Sequence, residues 1–285
     1  MASFSPTVRH RRLLQELRQL RTAAGLKQEE VADHLNWSTS RMTKVEGGTL
    51  RISVNDVRAM LQLYGLREGA EYDALVQLAK QAKERGWWHA YSDVIPQWFQ
   101  VYVGLEAEAS SLRNYEPELV HGLFQTEDYA RAIYRAARVT DAPDEIERHV
   151  SLRMARQSVI TRSEQPMNFW AIVNEAALRR RVGGARVMKE QLQHLADISA
   201  QPNVTIQVLP YVIGAHAAML GSFAILSFSD GASEVTYLEY ITGSLYLEKP
   251  EEIRAYTLAY DHLRASALDP RDSIDMIAKL AKEDL

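Results

Sequence analysis

Between positions 38 and 44 the chain reads STSRMTK, so that Ser38, Thr39, Ser40, Arg41, Thr43 and Lys44 stand almost side by side. Hydroxyls that donate and accept, a guanidinium and an ammonium are gathered there, with no acid before Glu46. Such side chains have little to bury, and what they can do is hydrogen-bond and neutralise something negatively charged. Lys27 and Gln28 add an amine and an amide a short distance upstream. Arg41 has two roles open to it, a clamp on a phosphate or a place on the rim. Residue types alone would equally describe a solvated helix face, so the elements that carry these residues must decide.

Those elements form a train of short helices. Leu13, Leu14, Leu17 and Leu20 recur at helical spacing and stop before Ala24-Gly25. A second helix starts at Lys27 or Gln28 and places Val31, Ala32 and Leu35 on one face. Asn36 and Trp37 turn the chain, Asn being one of the few residues that enters the left-handed region cheaply. Ser38 is placed to cap a third helix through its hydroxyl. In that helix Met42 and Val45 point inward, Thr39, Ser40, Thr43 and Lys44 stay outside, and Gly47-Gly48 ends it. A fourth helix follows from Ser53, with Val57, Met60, Leu61 and Tyr64 as its buried side, and a fifth is expected over 68–84. Two short helices joined by a tight turn, the second polar on its outer face, make a helix-turn-helix whose second helix can enter a major groove.

Residues 13–66, with LRQLRTAAGLKQEEVADHL, then the spacing S-x-x-x-x-x-x-V-E-x-G, then a closing amphipathic helix, resemble the phage-repressor-like (XRE) family of DNA-binding domains. The resemblance implies that Gln28 touches phosphate and the first bases with Lys27 beside it. It implies too that Ser38, Thr39, Ser40 and Lys44 reach base edges or phosphates, and that Arg21 and Glu46 form a structural ion pair. Asn36 and Trp37 stand where that family usually has Gly and a small aliphatic residue. The readers are short, and Ser and Thr hydrogen-bond several bases, so the helix does not spell out its target.

Charge follows the same division. Residues 1–65 hold ten Lys and Arg against six Asp and Glu, a net of +4, while the whole chain of 285 carries -4 and the remainder therefore -8. The front suits a polyanion. With 46% hydrophobic residues the chain can bury a sizeable core and is expected to hold two or more units. Zero cysteines exclude thiolate chemistry and suit a reducing cytoplasm, and no apolar run suggests secretion or a membrane span, so a cytoplasmic protein is expected.

Catalysis is not expected. The chain has no H-E-x-x-H, no G-x-S-x-G, no P-loop and no dinucleotide fingerprint, and Gly183-Gly184 is too little to count as one. Its eight histidines, His216 and His262 among them, are scattered without metal-ligand spacing. No cofactor, metal or catalytic residue is assigned.

Beyond residue 85 the chain turns aromatic, with Trp87, Trp88, Tyr91, Trp98 and Phe99 close together, read as core or interdomain packing in preference to a ligand cage. Helices are expected over 101–112, from a cap at Thr126, and over 143–161, where Arg148, Arg153 and Arg156 read as intradomain salt bridges. Strands are expected over 168–173, 204–209, 222–228 and 234–240, with a turn at Asp230-Gly231, helices over 175–181 and 186–199, and two closing helices over 250–266 and 270–282. The fold class is thus an all-α, five-helix N-terminal domain followed by an α+β domain with a small, mostly antiparallel sheet flanked by helices. The domains are expected at 1–66 for the helix-turn-helix, 67–86 for a connecting helix and 87–285 for a regulatory domain.

GLFQTEDYARA, the Trp-Trp start and R-x-x-R-Q over 153–157 look like the C-terminal domain of unknown function found in actinobacterial (streptomycete), antitoxin-like regulators with this type of helix-turn-helix. That resemblance implies a transcriptional regulator with double-stranded DNA as partner and a small protein, encoded nearby, acting on the C-terminal domain. Two effector readings remain open, that small protein or a small molecule held in the C-terminal sheet. Short readers on one helix cover few base pairs, which argues for a homodimer on half-sites.

Overall fold

The computed structural model describes residues 8–82, 86–229 and 233–283. The chain divides into two compact units, one of residues 1–90 with 96–105 and the other of 91–95 with 106–285.

The first unit is built from α1 (Val8–Ala23), α2 (Gln28–His34), α3 (Thr39–Glu46), α4 (Val54–Leu63) and α5 (Ala70–Gln81). Local signals set most of these bounds. Gly25, Gly48 and Gly65 follow α1, α3 and α4 with φ of 72°, 72° and 79°, a conformation that costs glycine no Cβ clash. Asn36 takes φ 54° in the turn, as its type suggests. Ser38 and Ser53 cap α3 and α4, each accepting from the backbone N–H three residues on. The apolar faces meet in one core of Leu13, Leu17, Val31, Met42, Val45, Val57, Met60 and Leu61, and Tyr72, Leu75, Val76 and Ala79 of α5 belong to it too. The span read as a connecting helix, 67–86, therefore holds a helix that buries its face in the N-terminal core; residues 83–85 lie outside the described ones. Trp88 is buried over Gly86 and Gly104, where an added Cβ would run into its ring, so two glycines make room for one indole. Trp87 is exposed.

α6 (Gln97–Glu108) leads into the second unit. There a sheet of β1 (Ser111–Glu116), β2 (Asn168–Asn174), β3 (Val204–Leu209), β4 (Phe223–Ser227), β5 (Val235–Tyr240) and β6 (Gly243–Leu247) runs in the order β3-β2-β1-β4-β5-β6. The β4, β5 and β6 side is antiparallel, as expected, whereas β1-β2 and β2-β3 are parallel, which makes the sheet mixed. Its helices are α7 (Glu127–Ala137), α8 (Pro143–Arg156), α9 (Ser158–Thr161), α10 (Glu175–Arg179), α11 (Ala185–Ile198), α12 (Pro250–Ser266) and α13 (Pro270–Leu280).

Two expectations need correction. The helix expected over 101–112 ends at Glu108, and Leu112 lies in the central strand β1. The run SLRNYE shows no apolar alternation, and pairing on both sides makes it a strand. The helix expected over 143–161 is two, divided at Gln157, whose amide donates to the carbonyls of Gln125 and Gly122. β6 has no counterpart among the expected strands, and the turn expected at Asp230-Gly231 lies outside the described residues.

Opposite faces of the sheet are covered differently. On one, Tyr115, Ile172, Leu209, Phe223 and Ile225 pack with Tyr260 and Leu263 of α12. On the other, Phe124 stacks on Phe169 at 4.4 Å between centroids. At Val208 the outer edge of β3 is satisfied rather than open: Ser273 accepts from the Val208 N–H at 2.9 Å and the Leu268 N–H donates to the Val208 carbonyl at 2.9 Å.

Candidate nucleic-acid interface

Helical periodicity places Thr39, Ser40, Thr43 and Lys44 on one stripe of α3, all exposed, while Met42, Val45 and Glu46 are buried on the other side. Lys27 is exposed at the start of α2 and Gln28 half-buried beside it. The Ser40 and Lys44 side chains have no hydrogen-bond or ion-pair partner among the described residues. An exposed hydroxyl and an exposed ammonium are thus left for solvent or a ligand.

Beneath the stripe sits Glu46, whose carboxylate is a hub. Arg21 Nε donates to Oε1 at 2.6 Å, Arg21 Nη2 to Oε2 at 3.2 Å and Gln28 Nε2 to Oε2 at 2.6 Å. Arg21 Nη1 also donates to the Leu26 carbonyl, and Arg18 Nη2 to the Glu46 carbonyl at 2.9 Å. The pair expected of Arg21 and Glu46 is present, and it ties α1 to the end of α3. Gln28 is pinned at both ends of its amide, because Oε1 accepts from the Thr43 hydroxyl at 3.2 Å. One amide N–H of Gln28 is left outside these bonds. Thr43 shares its hydroxyl with the Thr39 carbonyl at 3.0 Å. Burial, and then the Glu46 carboxylate, raise the pKa of the Tyr64 phenol above its ordinary range.

Arg41 lies exposed beside the stripe. Its guanidinium lies 4.0 Å over the Trp37 ring and 3.7 Å from the Asp56 carboxylate of α4. Trp37 is thereby a support for a cation that reasoning from sequence did not single out. The signal was legible: an aromatic at the turn followed four residues later by Arg. Ser38 spends its acceptor on the Arg41 N–H at 3.2 Å as the cap of α3.

The arginines of α8 are internally engaged. Arg156 makes two 2.7 Å bonds to Glu106 in the interior, Arg148 pairs with Asp93 at 2.6 Å, and Arg153 donates to Gln125 Oε1 and the Tyr134 hydroxyl. His216 meets the Tyr115 hydroxyl at 3.1 Å. Among the described residues no group of three or more His, Cys, Asp or Glu could hold a metal ion, and no helix is long and apolar enough to cross a membrane.

Comparison with known proteins assigns both units. A family profile described as a helix-turn-helix domain matches residues 12–75, and one described as a domain of unknown function (DUF5753) matches residues 99–279. Neither the curated proteins nor the solved structures give a match.

Proposed function

The chain belongs to the DUF5753 family and carries a helix-turn-helix domain that supports a DNA-binding regulator, and from that premise we propose a sequence-specific transcriptional regulator of the XRE type. The observation that carries the reading is the stripe of α3, polar, exposed and in part unpaired, held in place from below by Glu46. Thr39, Ser40, Thr43 and Lys44 face the groove in this reading, Gln28 and Lys27 approach the backbone from α2, and Arg41 contacts the flanking phosphate from its seat on Trp37. The protein acts as a homodimer, without catalysis, and its control is antitoxin-like: the C-terminal domain receives a small protein encoded nearby.

Selection of bound duplexes from a random pool by the full chain, followed by anisotropy titration on the selected sequence, tests the DNA reading. Affinity should fall with salt at a slope of roughly -0.9 per phosphate contact, and Ser40→Ala with Lys44→Ala should weaken binding about tenfold or more. No enrichment of any duplex, or unchanged affinity in the double variant, would sink it.

A further inference from the structure

We propose that the C-terminal domain pairs with a second copy of this chain through an uncharged apolar surface at one end of its sheet, formed by the loop between β3 and β4 and the turn between β5 and β6. Topology gathers that surface. β1, β2 and β3 are parallel and β5 runs the same way, so their last residues all lie at the end where β4 begins. The loop over 210–222 crosses that end from β3 to β4, and the β5-β6 turn at Ile241 stands beside it. The pairing of Ala224 with Tyr237, continued outward, brings Leu220 level with Ile241.

Side chains of core type point out here. Leu220 and Ile241 are fully exposed, Val212 is 89% exposed, and Tyr211, Met219 and Tyr240 are each more than half exposed. With roughly 150–250 Å² for a whole residue of this size, they present on the order of 900 Å² together. A monomer ordinarily leaves about 300–600 Å² in its largest apolar patch, and a stable interface covers about 800 Å² of each partner. Other exposed apolar residues, such as Val139 after α7 and Leu258 on α12, stand on separate elements. The loop is also held in shape. The Tyr211 N–H donates to Glu175 Oε2 at 2.9 Å, and the Ala218 N–H donates to His216 Nδ1 at 3.2 Å, which leaves His216 Nε2–H for the Tyr115 hydroxyl at 3.1 Å. Ala218 itself is buried in the core with Tyr115. Anchored at its start and at His216 and Ala218, the loop offers a formed surface, and little ordering entropy opposes docking.

Charge selects the occupant. Positions 210–229 and 240–247 hold no Asp, Glu, Lys or Arg. A two-fold interface sets the same surface against itself, which repels wherever that surface is charged. Here nothing repels, and each copy brings an apolar face of matching extent. An anionic membrane would ask for Lys or Arg among these side chains, and a charged peptide for opposite charges, and the surface offers neither. The inference rests on the homodimer of the proposed regulator and names its contact.

Light scattering and sedimentation equilibrium of the full chain without DNA test it. At micromolar concentration the chain should be a dimer. Leu220→Glu with Ile241→Glu should raise the dissociation constant about a hundredfold or more, because unpaired charges would be buried, whereas Val139→Glu should not. Both altered side chains are fully exposed, so the variant keeps the fold, which circular dichroism checks. A wild-type monomer at that concentration, or a dimer unchanged by the double substitution, overturns the proposal, and co-flotation of such a monomer with phosphatidylcholine vesicles would give the surface to a membrane instead. Duplex binding is scored apart from this: a dimer that dissociates in the variant while the wild type binds no duplex upholds the contact and removes the DNA reading.

Discussion

Glu46 is 6% exposed, and two elements depend on it, since its carboxylate holds Arg21 of α1 and Gln28 of α2. Removing it strands the Arg21 guanidinium, itself largely covered, without its partner. Glu46→Ala should therefore destabilise the N-terminal unit by about 3 kcal/mol, near the low end for breaking a buried pair, as read by thermal or urea unfolding. Gln28→Ala should cost far less stability and yet weaken DNA binding, because it frees Thr43 and removes the remaining amide N–H. Trp37 and Arg41 make a smaller coupling. A double-mutant cycle between Trp37→Ala and Arg41→Ala should return about 0.5–1 kcal/mol, the range for an exposed cation over a ring, and a value of zero would leave the 4.0 Å stack without energetic meaning.

At the scale of elements, the pair of Arg156 and Glu106 joins α8 to α6 through two 2.7 Å bonds, with both side chains almost fully buried. Glu106→Gln should cost about 3–5 kcal/mol, while replacing both residues by apolar ones of similar volume should cost much less, since it leaves no buried charge alone. Comparison of the two denaturation midpoints checks this. His149, on the same helix, stacks on Tyr134, and burial with Arg138 as the next cause lowers it from 6.5 to about 4. Between those values the unfolded chain binds a proton that the folded one does not. The stability contributed by neutral His149 is thus present above pH 6.5 and lost as pH falls towards 4, at up to about 1.4 kcal/mol per pH unit for this group. His149→Phe should flatten that part of the stability profile.

For the whole molecule, in the proposed reading the side chains that α3 offers to bases are short, and one copy would touch few base pairs. A two-fold dimer doubles the site and sets half-sites about 34–36 Å apart. Light scattering of the full chain with its selected duplex should give two copies per duplex. Insertion of about 5 base pairs between half-sites, half a turn of the roughly 10.5 base-pair repeat, should abolish the paired complex. A partner acting on the C-terminal domain changes DNA affinity only by its difference in affinity for the DNA-bound and free forms, and DNA must change partner affinity by the same factor.

How much was legible depended on whether the deciding interaction was local. In the N-terminal unit, caps at Ser38 and Ser53, left-handed stops at Gly25, Gly48 and Gly65, and the turn at Asn36 act within a few residues, so five helices and the outward face of α3 could be read directly. β3 and α12 were equally plain, since alternation and a leading proline are local marks. β1 was not, because SLRNYE places Arg113 and Asn114 in a central strand and becomes one only through its neighbours β2 and β4. The parallel half of the sheet depends on the same pairing, because β1, β2 and β3 are far apart in the chain. Sequence alone determined the helix-turn-helix and its exposed donors, because spacing on one helix decides which side faces out. Only the tertiary structure decided that Gln28 is pinned between Glu46 and Thr43, that Arg41 rests on Trp37, and that Arg156 meets Glu106 in the interior, because each depends on segments brought together by packing.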